Sequence, residues 1–270
     1  MSKKLSIFSL RQMWFWNKKR TIVESGILSG ITDYHSHILP GVDDGVESME
    51  EALRILAAYE ELGIKELWLT PHIMEDIPNT PEKLQARFAE LRGAYKGNIV
   101  LHLAAEYMID NNLHKLLNNL NCPSLQRGTS NAESIEEGVR NLLPIGTKGN
   151  YLLVETSYFS SPIRLHETLK QIKTIGYYPI LAHPERYMYM DTDDYLELKE
   201  EDIKFQLNIL SLGGYYGNTA KKKAEWILNN GFYDIAGSDL HSEDAIEFIT
   251  KCKLKEQEME QVKTLLQNSI

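Results

Sequence analysis

Asp33-Tyr34-His35-Ser36-His37-Ile38, running into Leu39-Pro40-Gly41-Val42-Asp43-Asp44-Gly45, is the stretch on which the fold turns. Its first six residues mix apolar and polar side chains over the length of a strand. The proline, glycines and aspartates that follow make a turn. A helix then starts at Ser48, because Ser48-Met49-Glu50-Glu51 reads as a capping box that satisfies two orphan amides. Met49, Ala52, Leu53, Leu56, Tyr59 and Leu62 form one apolar stripe along it, and Gly63 stops it. Residues 64–70 are the next strand, so the opening unit reads strand, helix, strand.

The rhythm continues outward. Strands are expected at 99–104, 151–155, 178–182, 205–209 and 233–236. Helices are expected from Thr80-Pro81, over 162–175, around 220–228, and on the outside at 254–266, where Leu254, Met259, Val262 and Leu266 recur. Seven short strands separated by helices predict βαβ units and a parallel sheet. An open doubly wound sheet is the alternative, but no glycine-rich phosphate loop follows the first strand. A chain of 270 residues suits one α/β barrel. The expected organisation is an N-terminal leader over 1–31 and a single barrel over 32–270. Residues 121–150 break the rhythm. Ser130-Asn131-Ala132-Glu133 there suggests a short helix, in either a surface excursion or a lid over the site.

Composition removes several function classes. Hydrophobic residues make up 43% and charged residues 25%, which predicts a filled core. The net charge of −9, from 38 acidic and 29 basic side chains, argues against a nucleic-acid groove. No apolar run is long enough to cross a membrane. The basic N-terminus is interrupted by Arg11 and Gln12 and lacks a cleavage site, so it reads as the leader of a cytoplasmic protein. Its Trp14, Phe15 and Trp16, set among basic residues, are candidates for weak contact with a membrane surface. Two cysteines, Cys122 and Cys252, cannot build a disulfide framework.

The chemistry sits where the strands end. His35 and His37 are two apart on a strand, so both imidazoles face one way. Asp44 lies in the loop beyond. His72 and Glu106 follow the strands at 64–70 and 99–104, Glu155 ends 151–155, His183 follows 178–182, and Asp239 and His241 follow 233–236. Any one of these could be a helix cap or a satisfied core residue. Six strands that each deliver a His, Asp or Glu at the C-terminal end fit a multinuclear metal centre on the face where barrel sites are built. Imidazole and carboxylate ligands without thiolate favour Mn²⁺, Fe²⁺ or Zn²⁺.

The same residues resemble a known family. His35-x-His37, His72 after Thr70-Pro71, Ala182-His183-Pro184-Glu185-Arg186 and Gly237-Ser238-Asp239-Leu240-His241 look like the four motifs of the PHP (polymerase and histidinol phosphatase) superfamily. Within it, residues 33–45 and Leu152-Leu153-Val154-Glu155 resemble the manganese-dependent bacterial tyrosine-protein phosphatases of capsule and exopolysaccharide synthesis. The likeness spans about residues 32–250. It implies a distorted (β/α)₇ barrel with three metal ions, Mn²⁺ first and Fe²⁺, Zn²⁺ or Co²⁺ as alternatives. One ion would be held by His35, His37, Glu106 and Asp239. The second would share Glu106 and add Glu155 and His183, and the third would use Asp44, His72 and His241. Arg186 matches the arginine that contacts phosphate, against the plainer reading of a surface ion pair with Glu185. Asp44 and His72 join Arg186 in the implied catalytic machinery.

Three divalent ions set against four carboxylates leave such a centre net positive, which suits a phosphate dianion. A phenolate leaving group, with a pKa of about 10, needs less protonation than an alkoxide. The implied substrate is a phosphotyrosine on the tail of a cytoplasmic bacterial tyrosine kinase that governs polysaccharide export. Alternatives are a small phosphomonoesterase of the histidinol-phosphatase kind and a kinase-binding module without turnover. Two departures stand out. The family places a second arginine beyond the last histidine, whereas 242–249 has none and only Lys251 or Lys253 could replace it. The 121–150 stretch is also longer than expected between the two glutamate motifs. The cysteine route fails on spacing, since four residues separate Cys122 from Arg127 where the cysteine-phosphatase loop needs five. Cys122→Ser and Cys252→Ser should therefore leave the chemical step intact. A fall in kcat of about 10³-fold, or about 4 kcal/mol of barrier, in a folded Cys122→Ser protein would overturn the metal route.

Overall fold

The computed structural model describes residues 18–120 and 142–270. Trp14, Phe15, Trp16, Cys122 and the helix expected at Ser130 lie outside the described residues. The chain runs through β1 (Lys19–Thr21), α1 (Ile22–Ser25), β2 (Thr32–Ser36), α2 (Met49–Glu61), β3 (Glu66–Leu69) and β4 (His72–Ile73). Next come α3 (Pro81–Ala94), β5 (Val100–Leu103), β6 (Glu106–Met108), α4 (Asn111–Leu120), β7 (Tyr151–Glu155), α5 (Leu165–Thr174) and β8 (Tyr178–Ala182). A 3₁₀ turn (Pro184–Arg186), α6 (Thr192–Glu200), β9 (Lys204–Asn208), α7 (Ile209–Gly213), α8 (Gly217–Asn229) and β10 (Ile235–Gly237) follow. The chain ends with α9 (Glu243–Lys251), β11 (Lys253–Lys255) and α10 (Glu256–Gln267).

The expected alternation is present, and its deviations have local causes. Ser48 Oγ accepts the Glu51 amide at 3.2 Å, but the Glu51 carboxylate turns to the Glu47 amide at 3.4 Å. Only half of that capping box forms. Ile209 belongs to α7 and not to the strand before it, because the Asn208 side chain caps the Leu210 amide at 2.9 Å. The last helix starts at Glu256 because Lys253–Lys255 pairs antiparallel with Lys19–Thr21. The expected second and third strands each resume after a short break, at Thr70-Pro71 and at Ala104-Ala105. The resumed pieces, β4 and β6, open with His72 and Glu106.

All pairing around the site is parallel. One sheet has the order β2-β3-β5, and the other β10-β9-β8-β7-β6-β4. Since β3 leads into β4 and β5 into β6, pairing passes through seven strand positions. An isolated parallel bridge, Ser36 with Leu240, links the last position to the first. Beside it the Asp239 amide donates to His35 O at 2.8 Å, and the His37 amide to Leu240 O at 2.9 Å. The junction is thus made at the C-terminal end of the strands.

Apolar side chains divide into two clusters. Tyr34, Trp68, Ala104, Leu153, Ile180, Ala182 and Ile235 come from six of the seven strand positions, all but β9, and fill the face that the strands enclose. The larger cluster packs the helices on the outside, with Ile55, Leu56, Leu67, Leu69, Leu169, Ile172, Phe205 and Ile227 wholly buried. Helix and strand periodicities meet there.

Gly237 marks the tightest approach at the junction. A Cβ there would lie 2.7 Å from His35 Cβ and 2.9 Å from the His35 amide nitrogen. Gly237→Ala should therefore destabilise the fold by about 1–3 kcal/mol, the usual cost of overpacking. Urea unfolding would measure it, and an unchanged midpoint would show that the junction is loose.

Candidate metal centre

All nine residues singled out above reach one place. His35 lies on β2 and His37 just after it, and Asp44 comes from the following loop. His72 opens β4, Glu106 opens β6, and Glu155 ends β7. His183 follows β8, while Asp239 and His241 follow β10. A register shift of β2 on β3 between Asp33 and Ser36 breaks the strict alternation. Tyr34 can then join the enclosed apolar cluster while His35 and His37 both turn to the site.

The distances are those of donors that share ions. Two donors about 2.1 Å from one ion are about 3.0–3.4 Å apart at angles of about 90–110°. His35 Nε2 lies 3.1 Å from His37 Nε2, and 3.3 Å from both Glu106 Oε2 and Asp239 Oδ1. His72 Nδ1 is 2.9 Å from Glu155 Oε1 and 3.1 Å from Glu106 Oε2. His183 Nε2 is 3.1 Å from Glu106 Oε1, and His72 Nε2 is 3.3 Å from Asp44 Oδ1. Three groups have all their donor atoms within 4.8 Å of one another: His35, Glu106, His183 and Asp239; His72, Glu106 and Glu155; and His37, Asp44, His72 and His241. The resemblance divides the ligands differently. It puts His183 with Glu155, whose Oε2 here is 3.9 Å from His183 Nε2. It puts His37 with His35, a set that is also compact, since His37 Nε2 is 3.4 Å from both Glu106 Oε2 and Asp239 Oδ1.

These residues fit divalent cations. Glu106, Glu155 and Asp239 are buried, and buried carboxylates need paired charge. His72 Nδ1, Glu106 Oε2 and Glu155 Oε1 converge, yet none makes a hydrogen bond. Burial opposes charge on His72, but Asp44, Glu106 and Glu155 outweigh it and hold its pKa far above the ordinary imidazole value. Burial likewise pushes Glu106 and Asp239 up, while His35 and its neighbours pull both well below the usual carboxylate range. The cluster therefore demands positive charge. Protons and metal ions compete for the same inward nitrogens.

A second layer aims the candidate ligands, and the sequence reading missed it. His37 Nδ1 faces Asp43 Oδ2 at 2.9 Å, His35 Nδ1 faces Gln206 Oε1 at 3.1 Å, and His241 Nδ1 faces the Asp239 carbonyl at 2.9 Å. Each contact leaves Nε2 turned inward. Burial, then the neighbouring His37, brings His241 down to about 4, so its imidazole is neutral near pH 7. Asp43 also accepts the His72 and Gly45 amides, at 3.0 and 3.1 Å. Asp33 accepts the amides of His35 and Ser238 and the Tyr59 hydroxyl, which ties β2 to β10 beneath the site. The buried Gln206 and Asn208 stand two apart on β9, a polar spacing in an apolar strand that could have marked them.

Arg186 lies against this centre. Its Nη1 donates to Asp239 Oδ2 at 2.6 Å, and the surface pair with Glu185 does not form. Glu185 is buried and accepts the Asn208 amide at 3.0 Å and the Tyr233 hydroxyl at 2.9 Å. A cavity of about 220 Å³ opens over Asp44, His72, Asp239 and His241, with Arg186, Tyr158 and Tyr216 in its wall. Neither lysine offered as a second phosphate contact lines it. Lys251 pairs with Glu247 at the surface, and Lys253 stands exposed in β11. Burial pushes the Cys252 thiol up to about 11, so it is no nucleophile near neutral pH.

Parallel strands that gather imidazoles and carboxylates at their C-terminal ends define an α/β protein with a candidate multi-residue metal site. The chain belongs to the family described as "Capsular polysaccharide synthesis, CpsB/CapC", which matches residues 31–132 and 131–264. It is similar to tyrosine-protein phosphatase CpsB of Streptococcus pneumoniae, 26% identical over 226 residues that cover 79% of this chain and 84% of the relative. Tyrosine-protein phosphatase YwqE of Bacillus subtilis (strain 168) is 24% identical over 223 residues, 81% of this chain and 80% of the relative. The solved structures of YwqE and CpsB, described as unique metal-dependent tyrosine phosphatases, share the fold. The match has a TM-score of 0.65 at 21% identity and covers 82% of this chain and 83% of the other. An inactive dihydroorotase-like domain of Chaetomium thermophilum shares the architecture at a TM-score of 0.50 and 11% identity, covering 89% of this chain and 77% of the other.

Asp43→Ala should weaken metal binding by about 10–100-fold while the chain stays folded, as loss of a partner behind a ligating histidine does. Metal titration followed by elemental analysis checks this. Native affinity in the variant would remove Asp43 from the site.

Proposed function

We propose that this chain is a metal-dependent protein-tyrosine phosphatase. The observation that carries the proposal is the convergence of nine imidazole and carboxylate residues beside a single arginine in the wall of one cavity. In this reading His35, His37, Asp44, His72, Glu106, Glu155, His183, Asp239 and His241 hold the ions, with Mn²⁺ as the expected metal. Clustered divalent ions supply a nucleophile from water at neutral pH and offset charge on a transferring phosphoryl group. The chain's own residues do the rest. Burial opposes charge on Arg186, but the Asp239 carboxylate beside it favours charge, and its pKa stays above the ordinary guanidinium value. Its guanidinium binds the phosphate oxygens and orients them. The aromatic wall limits water around the phosphate. A phenolate leaves without a dedicated acid, since its pKa of about 10 makes it a tolerable leaving group.

Space beyond the phosphate supports a protein tail over a small alcohol. A second cavity of about 340 Å³ adjoins the first and shares Tyr158, Arg186 and Tyr216 with it. Its outer edge carries the exposed Phe159 and Met188. The family description supports capsular polysaccharide synthesis as the setting, and the relatives' names support phosphotyrosine as the substrate. In this reading a cytoplasmic tyrosine kinase of polysaccharide synthesis bears that tail.

Chelation should abolish hydrolysis of a phosphotyrosyl peptide, and Mn²⁺ should restore it. The same peptide should exceed histidinol phosphate in kcat/KM under equal Mn²⁺. A tenfold advantage for histidinol phosphate, about 1.4 kcal/mol in transition-state binding, would replace this reading with the small-substrate one. Full activity after thorough chelation would end both.

A further inference from the structure

Among the described residues that line the inner cavity, Arg186 is the one guanidinium or ammonium. Lys223 lines the outer cavity but not the inner one, and its ammonium is committed to the carbonyls of Tyr187 and Met190. An anion that enters therefore meets a single fork of N–H donors, and the angle of that fork decides how well it is held.

We propose that Tyr158 and Tyr216 are positioning residues that fix the plane of the Arg186 guanidinium and so determine its affinity for phosphate. The proposal rests on the reading of Arg186 as the phosphate contact. The guanidinium carbon lies 4.3 Å from the ring centre of Tyr158 and 3.9 Å from that of Tyr216. Contact through the faces of a guanidinium leaves its in-plane N–H edges free to donate. One edge already does so, to Asp239 Oδ2 at 2.6 Å. Tyr216 is itself held, because its hydroxyl accepts from Asn208 Nδ2 at 3.2 Å, and the same Nδ2 donates to Asp239 Oδ2 at 2.8 Å. Glu185 accepts the Asn208 amide and anchors that residue in turn. Tyr158 is fixed from its other neighbours, with its ring 5.8 Å from His183 and 6.2 Å from Tyr187. Arginine, aromatic rings and Asp239 thus form one bonded frame at the boundary of the two cavities.

The test uses the full chain loaded with Mn²⁺ and inorganic phosphate as the probe, measured by calorimetry, so that it does not depend on turnover. Tyr158→Leu and Tyr216→Leu should each weaken phosphate binding about tenfold, equivalent to about 1.4 kcal/mol, with metal content unchanged. Tyr158→Phe keeps the ring face and should recover most of that loss. In an Arg186→Ala background neither leucine change should weaken binding further, because the rings act through the arginine. With a phosphotyrosyl peptide the leucine variants should raise KM more than they lower kcat. Undiminished phosphate affinity in the leucine variants overturns the proposal, as does an equal loss with Arg186 already removed. If the native chain binds phosphate as expected but fails to hydrolyse the peptide, the phosphatase reading falls and the positioning result stands.

Discussion

Carboxylates packed a few ångströms apart inside a protein set the terms for everything around them. Glu106, Glu155 and Asp239 are buried at the strand ends, and Asp44 stands beside them at the rim. Moving one such ion out of water costs several kcal/mol after relaxation, so the arrangement persists only where cations offset it. Imidazoles that turn Nε2 inward, one arginine, and a donor geometry suited to divalent ions all answer that demand. The apolar cluster enclosed by the strands lies below, and the helices bury the outer face, so the charged layer is confined to one end of the strands.

Confinement has a backbone cost. His183 and Asp239 adopt left-handed backbone conformations, with φ of 33° and 52°, that L-residues seldom take. Each such residue costs about 1–3 kcal/mol and persists only where the surroundings over-determine it. At His183 the chain leaves β8, enters the Pro184–Arg186 turn, and donates the Arg186 amide back to the His183 carbonyl at 2.9 Å. At Asp239 it leaves β10, and its amide joins β2. The two bends re-aim His183 and Asp239 from strands whose ordinary course would carry them past the cluster.

Much of this was legible in the sequence, for physical reasons that also mark its limits. A parallel strand carries its chemistry at its C-terminal end, so His35, Glu155, His183 and Asp239 announced themselves by position. The strands β7 and β8 stood out because each is an unbroken apolar run flanked by turns. β4 and β6 did not, since two or three residues after a break carry no periodicity. Pairing of Lys19–Thr21 with Lys253–Lys255 joins opposite ends of the chain, and nothing local encodes it. Adjacent aspartates were hard to tell apart. Asp43 turns inward to His37 and His72, whereas Asp44 faces the cavity, and a turn of proline and glycines does not reveal which way each will point. Tyr158 and Tyr216 lie far apart in the chain and both reach Arg186 only because β7 and β9 deliver the segments that carry them there.

Asp239 is where the two tasks of the site join. Its Oδ1 faces the histidines, 3.3 Å from His35 Nε2 and 3.4 Å from His37 Nε2. Its Oδ2 faces the other way and accepts from Arg186 and Asn208. One carboxylate therefore presents an oxygen to the ligand cluster and an oxygen to the cationic wall of the cavity. Any shift of Asp239 moves both, so the histidine cluster and the cationic wall of the cavity cannot drift apart independently. The left-handed backbone at Asp239 and its ties to β2 serve that coupling. They hold the shared residue still, and the arginine stays in register with the centre beneath it.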